Sequence, residues 1–372
     1  MPPTPQPPRT PAPAQPAPAE PGGQAPPGGR ADSGGQAPPG GRADSGGQAP
    51  PGGRADSGGQ APPVLAEVVR SGFVEGRHRG SLVVLGADGA VEWALGDVTS
   101  PVFPRSSNKP FQAVACLRAG ADLHGERLAL AAASHSGEVF HRELVARLLA
   151  EHGFTEDDLR CPADLPLDRE EAESYLAAGH ARAPITMNCS GKHAAMLAAC
   201  RAAGWTTGDY LDPGHPLQRL VADTLADAAG EPVAATGTDG CGAPVLAVSL
   251  TGLARAFAAL AGAAEGTPPR RVADAMRAHP EYVAGTRRHD TWLMREVPGT
   301  VSKMGAEAVQ AVALPDGRAL AFKLDDGGVR ALGPVLARAL ERLGVASPVL
   351  ARIGAQPLLG GGERVGEVRA AF

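Results

Sequence analysis

The sequence predicts an α+β fold: an antiparallel sheet flanked by helices, with a helical subdomain, behind a disordered N-terminal arm. Three observations carry this. Strand-like segments lie at both ends of the ordered region with helical ones between, so the outer sheet elements come from both termini rather than from repeated βαβ units. No Gly-rich loop stands between a strand and a helix to hold a dinucleotide or a nucleotide phosphate. Residues 1–63 differ in composition from everything that follows.

That arm carries 18 of the 36 prolines and no aromatic residue. The unit GGQAPPGGRADS runs three times, at 22–33, 34–45 and 46–57, and half a unit follows. Such a segment cannot bury enough apolar surface to offset the entropy of ordering, so it reads as a disordered Pro/Gly arm. Glycine does not recur at every third position, which excludes collagen.

From Val64 onward the elements follow in order. Strands are predicted at 67–74, 80–85 and 90–94, separated by turns at Gly76-Arg77-His78 and Ala87-Asp88-Gly89. A helix should run from Ser106 to about Ala119, with Ser106 as N-cap and Pro110 in the first turn, where a missing N–H costs little. Further helices are predicted over 126–133, 139–151, 168–178, 192–203, 215–228, 251–263 and 268–278. Late strands fall at 307–314 and 318–324, and a last long helix covers 328–343.

Composition excludes several function classes. The net charge is −5 and the arginines are scattered, which argues against nucleic acid. No 18-residue apolar run spans a membrane. Five cysteines, without a basic-then-apolar leader, read as reduced thiols in a cytoplasm.

Lysine is the telling residue. Of 35 basic side chains only Lys109, Lys192, Lys303 and Lys323 are lysine; arginine fills the generic cationic role. A lysine amine can lose its proton, act as a base or ligate a metal, and arginine cannot. Three of the four sit in Ser/Cys/Gly-rich segments. In Ser106-Ser-Asn-Lys109, residues three apart share a face, so a lysine of lowered pKa could take the serine proton. A capping serine beside a solvated lysine is the plain alternative. In Ala133-Ser-His-Ser-Gly-Glu138, hydroxyl, imidazole and carboxylate crowd one turn; a triad within six residues is a poor reading, because triad members come from separate segments. Cys189-Ser-Gly-Lys-His193 and Thr238-Asp-Gly-Cys241 offer two thiols that together would suit a soft ion such as zinc, with Lys192 or His193 completing the set. Two core thiols, or a Cys189/His193 nucleophile pair, remain open. In Val301-Ser-Lys-Met-Gly305, Lys303 enters a late strand and could project into a cleft or merely guard an edge. Lys323 reads as a structural partner of Asp325 or Asp326.

Taken together, these segments resemble the L-asparaginase II family, the zinc-containing Rhizobium-type asparaginases. The resemblance spans about Val68 to Leu340. It rests on Arg70-Ser-Gly-Phe-Val-Glu-Gly-Arg-His78, Arg105-Ser-Ser-Asn-Lys-Pro-Phe-Gln112, Ser134-His-Ser-Gly-Glu138, Asn188-Cys-Ser-Gly-Lys-His193, Asp239-Gly-Cys-Gly-Ala-Pro244 and Lys303-Met-Gly-Ala-Glu307, all in order. It implies a serine β-lactamase/glutaminase-like fold over one catalytic domain, 64–372, and hydrolysis of L-asparagine to aspartate and ammonia. It further implies Ser106 as nucleophile paired with Lys109, a second pair Ser134 and Lys303, zinc held by Cys189, Lys192 and Cys241, and His193 and Asp239 lining the substrate site. A homodimer is implied as well. A penicillin-recognising hydrolase would share Ser-x-x-Lys, and Lys303-Met-Gly305 echoes its Lys-Thr-Gly strand, but Met304 replaces the hydroxyl. A zinc-stabilised protein that binds amides without turnover is the non-catalytic reading.

Overall fold

The computed structural model describes residues 61–372. The repeat arm predicted over 1–63 therefore lies almost wholly outside the described residues.

The chain opens on an antiparallel hairpin of β1 (Val64–Arg70) and β2 (Phe73–Leu85). The sequence places a turn at Gly76–His78. The turn is instead at Ser71-Gly72, where both residues take positive φ, 49° and 82°, as a two-residue hairpin requires. Gly76–His78 continue as strand. β2 is long and changes partners midway. Its first half pairs with β1; its second half, Gly80–Leu85, pairs with a late strand on one side and with β3 (Val91–Leu95) on the other. Gly80 marks the crossing, since a Cβ there would stand 2.2 Å from the Lys323 carbonyl oxygen. Beyond it the strand is buried on both faces, which is why Leu82–Leu85 is an unbroken apolar run.

After β4 (Pro101–Val102) and a 3-10 turn at Arg105–Asn108, the helical part follows. It comprises α1 (Lys109–Arg118), α2 (Gly125–Ala131), α3 (Val139–Glu151), α4 (Arg169–Ala177), α5 (Ser190–Ala203) and α6 (Pro216–Ala229). β5 (Ala235–Thr238) and β6 (Pro244–Ser249) join β4 in a small sheet of order β4-β6-β5. The helices continue with α7 (Leu250–Ala261), α8 (Pro268–Ala278), the single turn α9 (Pro280–Val283) and α10 (His289–Glu296).

The chain then returns to the main sheet as β7 (Val301–Gly305), β8 (Val309–Ala313) and β9 (Ala319–Leu324). The strand predicted from residue 307 starts two residues later, because Glu307 and Ala308 both take positive φ in the β7–β8 turn. The last helix begins as a 3-10 turn at 329–331 before α11 (Leu332–Arg342). The chain ends with α12 (Val349–Gly354) and a hairpin of β10 (Pro357–Gly360) and β11 (Glu363–Ala370), which the sequence reading lacks. Its strands mix apolar residues with charged ones and glycine, and only Val368 is buried, so no regular apolar alternation announces them.

The main sheet is antiparallel, in the order β10-β11-β1-β2-β9-β8-β7. Both ends of the chain contribute to it, but its two edges, β10 and β7, are late strands and the N-terminal strands β1 and β2 lie inside it, so the expectation that both termini supply the outer strands does not hold. Val83, Leu85, Ala311 and Ala321 face the core under α7 and the helical part. Leu82, Val84, Leu320 and Phe322 face the second core, under α11 and α12. β7 is the edge next to the helical part, and the Arg105–Asn108 turn is pressed against it. A Cβ on Gly305 would come within 2.3 Å of the Pro104 carbonyl oxygen and 2.8 Å of Ser107 Oγ. Gly305→Ala should therefore push turn and strand apart and cost about 1–3 kcal/mol. The check is a lower denaturation midpoint at unchanged slope; an unchanged midpoint would show the two backbones are not in tight contact.

Candidate active site

Four segments converge where α1 and α5 begin, beside β7. The first is the 3-10 turn. Ser106 does not cap the helix: α1 starts at Lys109 and the turn precedes it. Arg105 sits at φ 52°, a strained left-handed conformation for a non-glycine residue, and is held there by Asp239. Its Nε donates to Asp239 Oδ1 at 2.8 Å, and Glu307 adds a longer ion pair at 3.7 Å. Ser107 Oγ donates to the Pro104 carbonyl at 2.9 Å. Ser106 is left at the rim, 8% exposed, while Lys109 points inward, 1% exposed. Residues 106 and 109 still share a face, because i and i+3 eclipse in a 3-10 turn. Lys109 Nζ, however, donates to Cys189 Sγ at 3.1 Å, and no hydrogen bond joins it to Ser106 among the described residues.

The second segment, Ser134–Glu138, is a rigid platform. Ser134 N donates to the Val283 carbonyl (3.0 Å) and His135 N to the Asn188 carbonyl (3.1 Å). Ser136 Oγ donates to the Ala284 carbonyl at 2.7 Å, and Glu138 accepts from Thr286 N and Oγ1 at 2.8 and 2.7 Å. Gly285 is required here, because a Cβ would lie 2.3 Å from Ser136 Oγ. His135 Nε2 pairs with Ser190 Oγ at 2.9 Å. Burial, with His141 and Lys109 nearby, keeps that imidazole well below its usual range and therefore neutral. Imidazole and carboxylate are thus both engaged elsewhere, and no triad forms within the turn. Ser134 is 8% exposed, as Ser106 is.

The third segment is β7. Lys303 is 1% exposed and its Nζ donates to the Met304 carbonyl at 2.8 Å. Burial pushes its ammonium down to about 7; Asp290 opposes the fall, while the charges of Lys109 and Arg288 add to it. Asp290, fully buried, grips the strand on either side of Lys303. It accepts from Ser302 Oγ at 2.6 Å and from Met304 N at 3.0 Å, and Gln310 Nε2 adds a third bond at 3.0 Å. Burial works to raise its pKa, but His289, Lys303 and these hydrogen bonds outweigh it and hold the carboxyl ionised. Asp290 and Arg288 were not singled out by the sequence reading. The only signal was the run Arg287-Arg288-His289-Asp290, which looks like a solvated helix start.

The fourth segment joins the start of α5 to the turn before β6. Cys189 and Cys241 lie side by side, 3% and 1% exposed, and Lys192 Nζ donates to Cys241 Sγ at 2.9 Å. Cys189 is held as the thiol, by the neighbouring Cys241 sulfur and by burial, and its Sγ–H donates to Asn188 Oδ1 at 3.0 Å. Cys241 is held as the thiolate, by the neighbouring Cys189 sulfur against the cost of burial, with help from the Lys192 ammonium. The two lysines thus each face one sulfur. His193 Nδ1 meets Tyr210 Oη at 2.7 Å, while its Nε2, buried, makes no hydrogen bond. Burial and Lys192 lower this imidazole to about 4. Asp239, expected to line the substrate site, has its carboxylate on Arg105 and on Gly240 N.

No group of three or more His, Cys, Asp or Glu side chains that could hold a metal occurs among the described residues. A zinc ion here would need the Lys192 amine as third donor beside the two sulfurs. Two adjacent soft sulfurs, a lysine already directed at one of them and the orphaned His193 Nε2 fit such an ion by their chemistry. Lys323 lies apart from all this: its Nζ donates to the carbonyls of Glu307 and Leu324, and Asp326 bonds His78. Among the described residues, no helix is long and apolar enough to cross a membrane.

Three solved structures illustrate the wider likeness. A β-lactamase from Mycobacterium bovis is 17% identical, covering 74% of this chain and 95% of its own, with a TM-score of 0.40. A putative β-lactamase from Bacteroides dorei is 15% identical, covering 70% and 93%, at 0.37. A simvastatin synthase mutant from Aspergillus terreus is 13% identical, covering 66% and 86%, at 0.32. Overlaps this loose carry no functional reading. No curated protein sequence is significantly similar. The family model of L-asparaginase II, by contrast, matches residues 66–370, nearly the whole described chain. The protein is accordingly a hydrolase of the L-asparaginase II family.

Proposed function

We propose that the protein hydrolyses the side-chain amide of L-asparagine to L-aspartate and ammonia, with Ser106 as nucleophile. The observation that carries this is the convergence of two buried lysines, Lys109 and Lys303, within electrostatic reach of each other between the segments bearing Ser106 and Ser134. Like charges buried together favour the neutral form of one, and a neutral amine is what a serine needs as base.

Ser106 Oγ attacks the amide carbon, and the carbonyl electron pair moves to oxygen. The serine proton passes to a lysine, either Lys109 directly or Lys303 by way of Ser134. Lys303 is the one whose ammonium lies near neutrality. Collapse of the tetrahedral species expels ammonia, which takes that proton, and water then releases aspartate from the acyl-serine. Asp239 orders this site through Arg105, and His193 faces it from α5. Held by Cys189, Lys192 and Cys241, zinc would supply a Lewis acid that positions polar groups of the substrate. The active form is a cytoplasmic homodimer on this reading.

Ser106→Ala should lower ammonia release from asparagine by about 10³-fold or more, with the circular dichroism spectrum and denaturation midpoint retained. Full activity would rule Ser106 out as nucleophile.

A base must be neutral to act, so the rate should rise about tenfold per pH unit below the Lys303 midpoint near 7 and level off above it. A profile flat through neutrality would remove Lys303 from the mechanism.

Cys189→Ser should drop bound zinc, read by elemental analysis, from about one per chain toward none. Undiminished zinc would mean that other residues hold it.

A further inference from the structure

One charge near the site is left unanswered. Arg288 is the residue before α10, in an extended conformation, and its side chain makes no hydrogen bond to cap the helix. The residues just before it are fastened to the Ser134 platform: Val283 and Ala284 accept from Ser134 N and Ser136 Oγ, and Thr286 donates to Glu138. In the other direction its Nη2 reaches Met304 Sδ at 3.2 Å, on the residue after Lys303. Arg288 therefore bridges the platform of the second serine and the strand of the second lysine, and Lys303 feels its charge.

What it lacks is a counter-ion. A thioether sulfur is a weak acceptor and neutralises nothing. Two carboxylates lie within electrostatic reach, Asp290 and Asp168, and both are engaged. Asp290 serves Ser302, Met304 N and Gln310; Asp168 takes Arg287 and Glu171 N. Among the described residues no carboxylate forms an ion pair with Arg288, while its neighbour Arg287 has three acidic partners. Arg288 is half-buried, and burial works against its charge. A guanidinium that cannot shed its proton and is partly withdrawn from water gains most from an anion brought by the ligand.

We propose that Arg288 binds the carboxylate of the substrate, so that the site selects amides of amino acids over simple amides. This rests on the amidohydrolase reading above and names what that reading leaves open. Asparagine's carboxylate would meet the guanidinium fork while its side-chain amide lies toward Ser106. Neutral amides of the same length would lose this contact and strand the charge.

The test compares L-asparagine with 3-aminopropanamide, which is asparagine without its carboxylate and has a single amide to release ammonia. In the intact protein the ratio of kcat/KM should favour asparagine strongly. In Arg288→Ala that ratio should fall by roughly 10²-fold, and Arg288→Lys should keep part of it. An equal loss on both substrates, or none on either, would overturn the assignment. Calorimetric binding of L-asparagine to Ser106→Ala, and to Ser106→Ala combined with Arg288→Ala, reads the same contact without turnover. Binding at least tenfold weaker in the double variant supports it, and equal binding sinks it. An intact protein that binds asparagine through Arg288 but never releases ammonia would refute the hydrolase reading alone. Absence of asparagine binding altogether would refute both.

Discussion

Three lysines buried in one interior are the constraint around which this structure is organised. Each ammonium withdrawn from water costs on the order of several kcal/mol unless it is answered by charge and hydrogen bonds. Lys192 has the Cys241 thiolate, Lys109 the Cys189 sulfur, and Lys303 the buried Asp290. The answers are incomplete for Lys303, which pairs with a carbonyl rather than a carboxylate and stands near two other cations. That deficit is the chemically useful feature, because it brings one amine to the edge of neutrality, whereas the sulfurs of Cys241 and Cys189 keep Lys192 charged against its burial.

Keeping such a group in place demands backbone precision, and the surroundings supply it through very close approaches. Gly305 lets the Ser106 turn lie directly on the strand that carries Lys303. Gly285 lets the Ser134 platform dock on the chain leading to Arg288. Gly191 admits the Leu130 side chain against the first turn of α5, next to Cys189 and Lys192; a Cβ there would be 2.5 Å from Leu130 Cγ. Arg105 is held in a strained conformation by Asp239, so the turn before the nucleophile is tied to the loop that ends in Cys241. The four segments are thus cross-linked pairwise by side chains and backbone contacts, not merely adjacent.

Much of this was legible before any coordinates. The scarcity of lysine marked three residues that the fold then brings to one interior, and helices at 139–151 and 268–278 stand where their apolar periodicity put them. Turns are less legible. The chain turns at Ser71-Gly72 and not at Gly76–His78, because a glycine beside two polar residues looks like a turn until a partner strand pairs with it. The bond that Lys109 makes to Cys189 is not legible for a related reason: helical spacing gives the shared face of residues 106 and 109, but Cys189 arrives from 80 residues away.

By itself, the sequence determined local conformation, the chemical types available and the family to which the chain belongs. These follow from short-range sterics, apolar periodicity and the identity of a few reactive side chains. Tertiary structure alone decided which amine is driven toward neutrality, which of two thiols keeps its proton, and that Asp290 is engaged by β7 while no carboxylate among the described residues pairs with Arg288. Charge states in an interior depend on distances between residues remote in sequence and on how much water is excluded around them. Neither quantity is written in the order of the residues.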